Sequence, residues 1–190
     1  MKSFKQTLVY LNYVSLPILA IPFIFEIDQT YALANWFGNI ALIFFCLSLT
    51  PGIMKRLQLG GMFKKTQIYL MFGRRQLGLL TFVYALIHYV WHQIYPIYEF
   101  GALPAFTPFR AVGALAFFSF TLMAITSNNF SVKLLKKNWA RLHKLAYFAA
   151  FALFLHVALV SNIWQAILIG IFLALEIISY LATFIRRKAY

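Results

Sequence analysis

The sequence predicts an all-α integral membrane protein, a six-transmembrane-helix bundle, from three observations. Hydrophobic residues make up 63% of the 190-residue chain and charged residues only 11%, whereas a soluble domain is about one-quarter charged and half apolar. The same apolar weight excludes intrinsic disorder, which needs low hydrophobicity. The basic residues avoid the long apolar runs and fall between them, and period-two alternation of the kind a membrane β-strand needs is absent. A net charge of +13, from 17 Lys and Arg against four acids, would suggest a nucleic-acid binder on a soluble domain. Interleaved with spans, it is topology information instead, and no nucleic-acid partner is expected.

A spanning helix needs roughly 17–25 mostly apolar residues, and the six runs that qualify are taken in order. The first, 7–25, follows Lys2 and Lys5. With Ala32-Leu33-Ala34 beyond it, it resembles a secretory signal. However, it is long for such a segment, and Glu26 and Asp28 intervene before the small residues, so it is read as a span. The second, 34–49, is short, contains Cys46, the single cysteine, and ends before Thr50-Pro51. One cysteine allows neither an intramolecular disulfide nor a CxxC site. Lys55, Arg56, Lys64, Lys65, Arg74 and Arg75 separate it from the third, 77–95. Glu99 lies beyond the third, and the fourth, 107–126, opens beside Arg110, the one base on that side. Lys133, Lys136, Lys137, Arg141 and Lys144 surround the start of the fifth, 139–160, and Arg186, Arg187 and Lys188 follow the sixth, 163–184. All basic clusters fall on one side, so the positive-inside rule puts both termini in the cytoplasm. The chain reads as a single membrane domain over 1–190. No GxGxxG or P-loop motif is present, so a soluble redox partner is expected to be a separate chain.

The four histidines, His88, His92, His143 and His156, lie in only the third and fifth spans. Intramembrane ionisable groups are costly and point to function. At about 1.5 Å rise per residue, His88 lies about 20 Å past Arg75 and His156 about 22 Å past Arg141. Both helices enter from the same side, so the two imidazoles share one depth on different helices. That is what a b-type haem with two axial histidines requires, placing the haem between spans three and five. His143 lies about 3 Å past Arg141 and is turned about 140° from His156, near the cytoplasmic face. It is a candidate ligand for a second, inner haem, although the third span offers Arg74 and Arg75 rather than histidine at that depth; a flavin or quinone is the other use for it. His92, one turn outward of His88, would replace it as ligand, bond a haem propionate, or serve as an interfacial residue. Arg110 would neutralise a propionate or pair with Glu99. Zinc is disfavoured by the scarcity of Cys and carboxylate ligands. No catalytic nucleophile or acid–base residue is assigned.

Arg74-Arg75-Gln76-Leu77-Gly78-Leu79, with Tyr84-Ala85-Leu86-Ile87-His88, resembles the opening of the core in the ferric-reductase-like transmembrane superfamily. Ile125-Thr126-Ser127-Asn128-Asn129, Leu134-Leu135-Lys136-Lys137-Asn138-Trp139 and Arg141-Leu142-His143-Lys144-Leu145-Ala146-Tyr147, followed by His156, are similar to the MsrQ family of haem-binding membrane subunits. Gly38, Ala41-Leu42 and Thr50-Pro51 match that family's second helix and its exit. The likeness covers about 36–160; Thr107 stands before Pro108 where the family tends to have a basic residue.

The resemblance implies haem b, one or two, with His88 and His156 as axial ligands of the iron and His143 as a further haem-associated residue. It also implies FMN, for which no residues are assigned. The chain would be an electron-transfer subunit of the bacterial inner membrane, not the catalytic one. It would take electrons from quinone or a cytosolic flavin reductase and deliver them to MsrP, a periplasmic molybdopterin enzyme that reduces methionine sulfoxide in oxidised proteins. The alternatives are a stand-alone ferric or metal reductase, and a small transporter or proton-conducting protein. The latter predicts no chromophore and favours acidic relays, whereas Glu176 is the only acid within a span. A structural or assembly subunit would tolerate loss of its histidines.

Overall fold

The computed structural model describes residues 2–24, 30–59, 61, 63–101 and 105–188. Among them there is no strand, and six helical segments are long and apolar enough to cross a membrane: Ser3–Ile24, Tyr31–Arg56, Lys64–Phe100, Pro108–Ile125, Lys137–Leu159 and Ile163–Lys188. The protein is a multi-pass integral membrane protein. Glu26 and Asp28 lie outside the described residues.

The first span is built from α1 (Lys2–Ser15), a tight 3₁₀ turn (Leu16–Ala20) and α2 (Ile21–Ile24). Pro17 sits near the start of the 3₁₀ turn, where its missing N–H breaks the α-helical ladder. The second span, α3 (Thr30–Arg56), runs straight through Pro51, although Thr50-Pro51 in the sequence reads as its exit. Thr50 Oγ1 donates to the Cys46 carbonyl at 2.9 Å and Ser48 Oγ to the Phe45 carbonyl at 2.7 Å. These bonds fall on carbonyls beside that of Leu47, the one Pro51 leaves without its amide, and the buried Pro51 is held by close neighbours, as prolines in membrane helices generally are. α4 (Lys64–Tyr89) begins a full three turns earlier than hydropathy predicts, because in 64–76 basic and polar residues flank Ile68-Tyr69-Leu70-Met71-Phe72 and no proline interrupts the helix. It continues through a π-helical turn (Val90–Ile94) into α5 (Tyr95–Phe100), which Gly101 ends in the left-handed conformation at φ +62°.

α6 (Pro108–Ile125) starts with proline at its first position, where no N–H is needed. The short helix α7 (Asn129–Leu135), capped by Asn128 accepting from the Ser131 amide at 2.7 Å, lies between spans. The fifth span divides at His143–Lys144 into α8 (Lys137–Leu142) and α9 (Leu145–Leu159). α10 (Ile163–Lys188) completes the bundle.

The main packings are α3 on α4, α4 on α6, α6 on α9, α9 on α10 and α10 on α3, a closed ring of five helices, with α1 outside against α4. The ring encloses a core of Leu42, Phe45, Leu49 and Ile53 from α3, Ala116 and Phe120 from α6, Ala149, Ala150 and Ala152 from α9, and Ile169 from α10. Small residues bring α6 and α9 close, as membrane helix pairs generally require. Phe117 of α6 stacks on both Phe82 (centroids 5.9 Å, planes 16° apart) and Tyr89 (4.9 Å, 8°) of α4, which sets the height of α6 against α4.

The basic clusters gather at one end of this bundle, where Lys133, Lys136, Lys137, Arg141 and Lys144 are exposed. At that end Arg56 forms a buried ion pair with Glu176, donates to Ser179 Oγ at 2.8 Å, and lies 4.3 Å over the Tyr180 ring. Arg186 in turn donates to the Arg56 carbonyl, so α3 and α10 are tied together by polar contacts.

Candidate functional site

The other end of the bundle carries three of the four histidines. Matched depth was expected for His88 on α4 and His156 on α9, and their ring centroids lie 6.4 Å apart with planes 79° from parallel. Metal–imidazole bonds of about 2.0 Å, with each ring centre about 1.1 Å behind its nitrogen, put two imidazoles on opposite sides of one metal about 6.2 Å centre to centre. The spacing therefore suits one metal between two rings.

The hydrogen bonds decide which nitrogen is available. His88 Nδ1 lies 2.8 Å from the Ala34 carbonyl oxygen, and His156 Nδ1 lies 2.7 Å from that of Phe109. A carbonyl only accepts, so each Nδ1 carries the proton and donates. In a neutral imidazole the other nitrogen then presents its lone pair. Both rings are thus held with Nε2 free to ligate, each oriented from behind by a backbone carbonyl as metal-binding histidines generally are. Among the described residues, no three His, Cys, Asp or Glu side chains are grouped to hold a bare metal ion. Two imidazoles are enough for a metal that brings its own macrocycle, as haem does. On spacing and donor chemistry the pair fits that group.

His92 sits beside the pair, its ring 4.8 Å from that of His88, and it shares a 2.9 Å hydrogen bond through Nε2 with Asn35 Oδ1 of α3. It lies on the π-helical turn, an irregularity frequent at functional sites. Arg110 at the start of α6 makes no ion pair with the exposed Glu99. Its NH1 donates to the Ala105 carbonyl at 2.6 Å, while its Nε is buried with no hydrogen-bond partner, as is Thr107 Oγ1 one turn earlier. Polar hydrogens left over next to a haem-sized pair of ligands suit a carboxylate.

His143 is not brought to this site. It ends α8 near the basic face, stacked on Trp139 at 4.0 Å, with Nε2 3.2 Å from Thr126 Oγ1. The Thr126 hydroxyl already donates to the Leu122 carbonyl at 2.7 Å, so it accepts from His143. His143 is therefore the opposite tautomer, with Nδ1 as the lone-pair nitrogen. Trp139 Nε1 donates to the Thr126 carbonyl at 2.9 Å, closing a small polar knot between α6 and α8.

The residues that sequence reasoning passed over at the paired site are Asn35 and the backbone carbonyls of Ala34 and Phe109. A carbonyl carries no sequence signal; its part appears only when two helices are packed.

Comparison with known proteins finds relatives of this chain. The family described as ferric reductase like transmembrane component matches residues 37–155. The chain is 32% identical over 146 residues to the protein-methionine-sulfoxide reductase heme-binding subunit MsrQ of Brucella melitensis biotype 2, a match covering 73% of this chain and 61% of that relative. It is 35% identical over 108 residues to the MsrQ proteins of Brucella ovis and Brucella abortus strain 2308, covering 53% of this chain and 48% of each. The match thus spans less than two thirds of the length of these curated relatives. No solved structure matches.

Proposed function

The chain belongs to the ferric reductase like transmembrane component family, and from that premise we propose that it is a b-type cytochrome subunit of a methionine sulfoxide reductase system, carrying electrons across the bacterial inner membrane. The observation that carries this reading is the His88–His156 pair, 6.4 Å apart with both Nδ1 atoms engaged by carbonyls. A haem bound there would supply one-electron storage at its iron. His88 and His156 would hold it through Nε2, and Arg110 and Thr107 would meet its propionates with their unpartnered polar atoms. The apolar α3, α4, α6 and α9 keep water out, which raises the weight of axial ligand and burial in setting the potential.

Direction follows from charge. The exposed basic end is the cytoplasmic end by the positive-inside rule, so both termini lie in the cytoplasm and the histidine pair lies toward the periplasm. Electrons arriving from quinone or a cytosolic flavin reductase would leave from that side to an MsrP-like molybdopterin subunit, which reduces methionine sulfoxide. The names of the relatives support the system; donor and acceptor come from the resemblance, as does FMN. His143, near the basic end and free at Nδ1, is the candidate for a second haem or an entry cofactor.

The test is the reduced-minus-oxidised spectrum of purified protein expressed with haem supply, with haem and flavin counted per chain. A b-type spectrum that is lost in His88→Ala and in His156→Ala, and kept in His143→Ala at one haem per chain or halved at two, is the expected result. No b-type spectrum, or full haem in both axial variants, overturns the reading. Reoxidation of the reduced chromophore by an MsrP-like enzyme and its substrate tests the acceptor.

A further inference from the structure

The two imidazoles are held by the same local device, twice. His88 donates to the carbonyl of Ala34, and four residues on, Gly38 faces the same ring; a Cβ built there would lie 2.9 Å from His88 Nδ1 and 3.1 Å from Cε1. His156 donates to the carbonyl of Phe109, and four residues on, Gly113 faces that ring; a Cβ there would lie 2.7 Å from His156 Nδ1 and 2.9 Å from Cε1. In a helix, the carbonyl of residue i is the acceptor for the amide of i+4. A side chain that is to share that carbonyl must therefore come in over residue i+4. Only glycine leaves room for an imidazole ring to do so.

On the proposed reading of this pair as axial ligands, we infer that Gly38 and Gly113 are positioning residues. They let each ring lie flush against the neighbouring helix, with Nδ1–H on a shared carbonyl, and so fix the tautomer and the ring planes near perpendicular. The bound histidine cannot swing away cheaply, since its ring is anchored by a short hydrogen bond on the side where the methyl would enter. The ring must either turn about its own axis or give up the bond. Gly113 is the tighter of the two, with two ring atoms inside 3.0 Å of the added carbon against one at Gly38.

The consequence is spectroscopic. Axial imidazoles in near-perpendicular planes leave the two iron orbitals they interact with almost equal in energy, which gives ferric low-spin haem a strongly anisotropic electron paramagnetic resonance signal; parallel planes give a rhombic one. Outer partners of metal-bound histidines also matter to affinity, typically by about 10–100-fold.

The experiment compares holoprotein of the wild type, Gly38→Ala, Gly113→Ala and Gly78→Ala by electron paramagnetic resonance and by the rate of haem loss to an apo-globin acceptor. Gly78 is the control, a helical glycine of α4 where an added Cβ meets nothing within 4 Å. The expected result is a strongly anisotropic wild-type signal, kept in Gly78→Ala. It shifts toward the rhombic form in both other variants, with haem lost roughly 10-fold faster and Gly113→Ala the more affected. A rhombic wild-type signal overturns the inference, as do Gly38→Ala and Gly113→Ala proteins with wild-type signals and wild-type haem loss. Where one variant is not recovered folded, the other and the wild-type signal decide. Wild-type protein without bis-histidine haem would instead sink the proposed function itself.

Discussion

Replacing Glu176 by alanine is expected to destabilise the bundle by about 2–3 kcal/mol. The perturbation leaves the Arg56 guanidinium without its counter-charge at a site where the two side chains are only 18% and 8% exposed. Two unit charges with centres about 4 Å apart attract by about 4 kcal/mol at an effective dielectric of about 20, before the desolvation of both is subtracted. Removing one partner from a fully buried pair costs about 3–5 kcal/mol, because the survivor stays buried and unpaired. Arg56 falls below that range for structural reasons. It retains Ser179 Oγ at 2.8 Å and the Tyr180 ring at 4.3 Å, and it stands near the basic end, within reach of headgroups and water. Glu176→Gln, which keeps an acceptor, costs about half as much. The apolar pair Arg56→Met with Glu176→Leu recovers most of the loss, since a buried ion pair and well-packed apolar residues are often equivalent. The assay is equilibrium unfolding in a fixed detergent or nanodisc, read as a double-mutant cycle. Glu176→Ala within about 0.5 kcal/mol of wild type, or a double variant whose cost is the plain sum of the singles, refutes the coupling.

Two further outcomes follow from burial and charge. In a Cys46→Ala background, Glu99→Cys in intact spheroplasts reacts with a membrane-impermeant maleimide, and Lys136→Cys reacts only after lysis, both positions being exposed at opposite ends of the bundle; the reverse pattern would invert the orientation. Ile169→Ala, from a side chain at 0% exposure in the ring core, costs about 2–5 kcal/mol in the same unfolding assay. Ile167→Ala, 48% exposed on the same helix, costs little, and equal effects would show that the packing of α10 has been misread.

The number of spans was legible because the bilayer demands length and apolarity at once, and few sequences satisfy both by accident. The shared depth of His88 and His156 was legible for a related reason. Helical rise is fixed, and the basic residues at Arg75 and Arg141 supply an origin on each helix. Sequence alone could not foresee that α3 survives Pro51, since how a membrane helix accommodates proline depends on the neighbours packed around it. Nor did hydropathy report the three turns that open α4, where basic residues flank a short apolar run, because it measures membrane depth and not helicity. Glu176 stood out as the one acid in a span, yet its partner lies 120 positions away on α3, and no local pattern names it. His143 read as a haem candidate by position; its tautomer, set by a hydroxyl that had already spent its proton on Leu122, belongs to packing alone.

The helix α3 connects these observations. It carries Arg56 at one end and Ala34 with Gly38 at the other, 18–22 residues or about 27–33 Å apart, so one rigid element runs from the ion pair to the first histidine cradle. The second cradle is on α6, which is set against α4 by Phe117 lying between Phe82 and Tyr89. Each half of the site is therefore a two-helix unit, α3 with α4 and α6 with α9, in which one helix supplies the imidazole and its neighbour the carbonyl and the glycine. The α4–α6 aromatic stack fixes how far apart the halves stand. Separation of 6.4 Å and rotation of 79° between the rings are in this view set by different contacts, the stack governing the first and the glycines the second. A change at Phe117 and a change at Gly113 should then perturb the pair in distinguishable ways, by spacing in one case and by angle in the other.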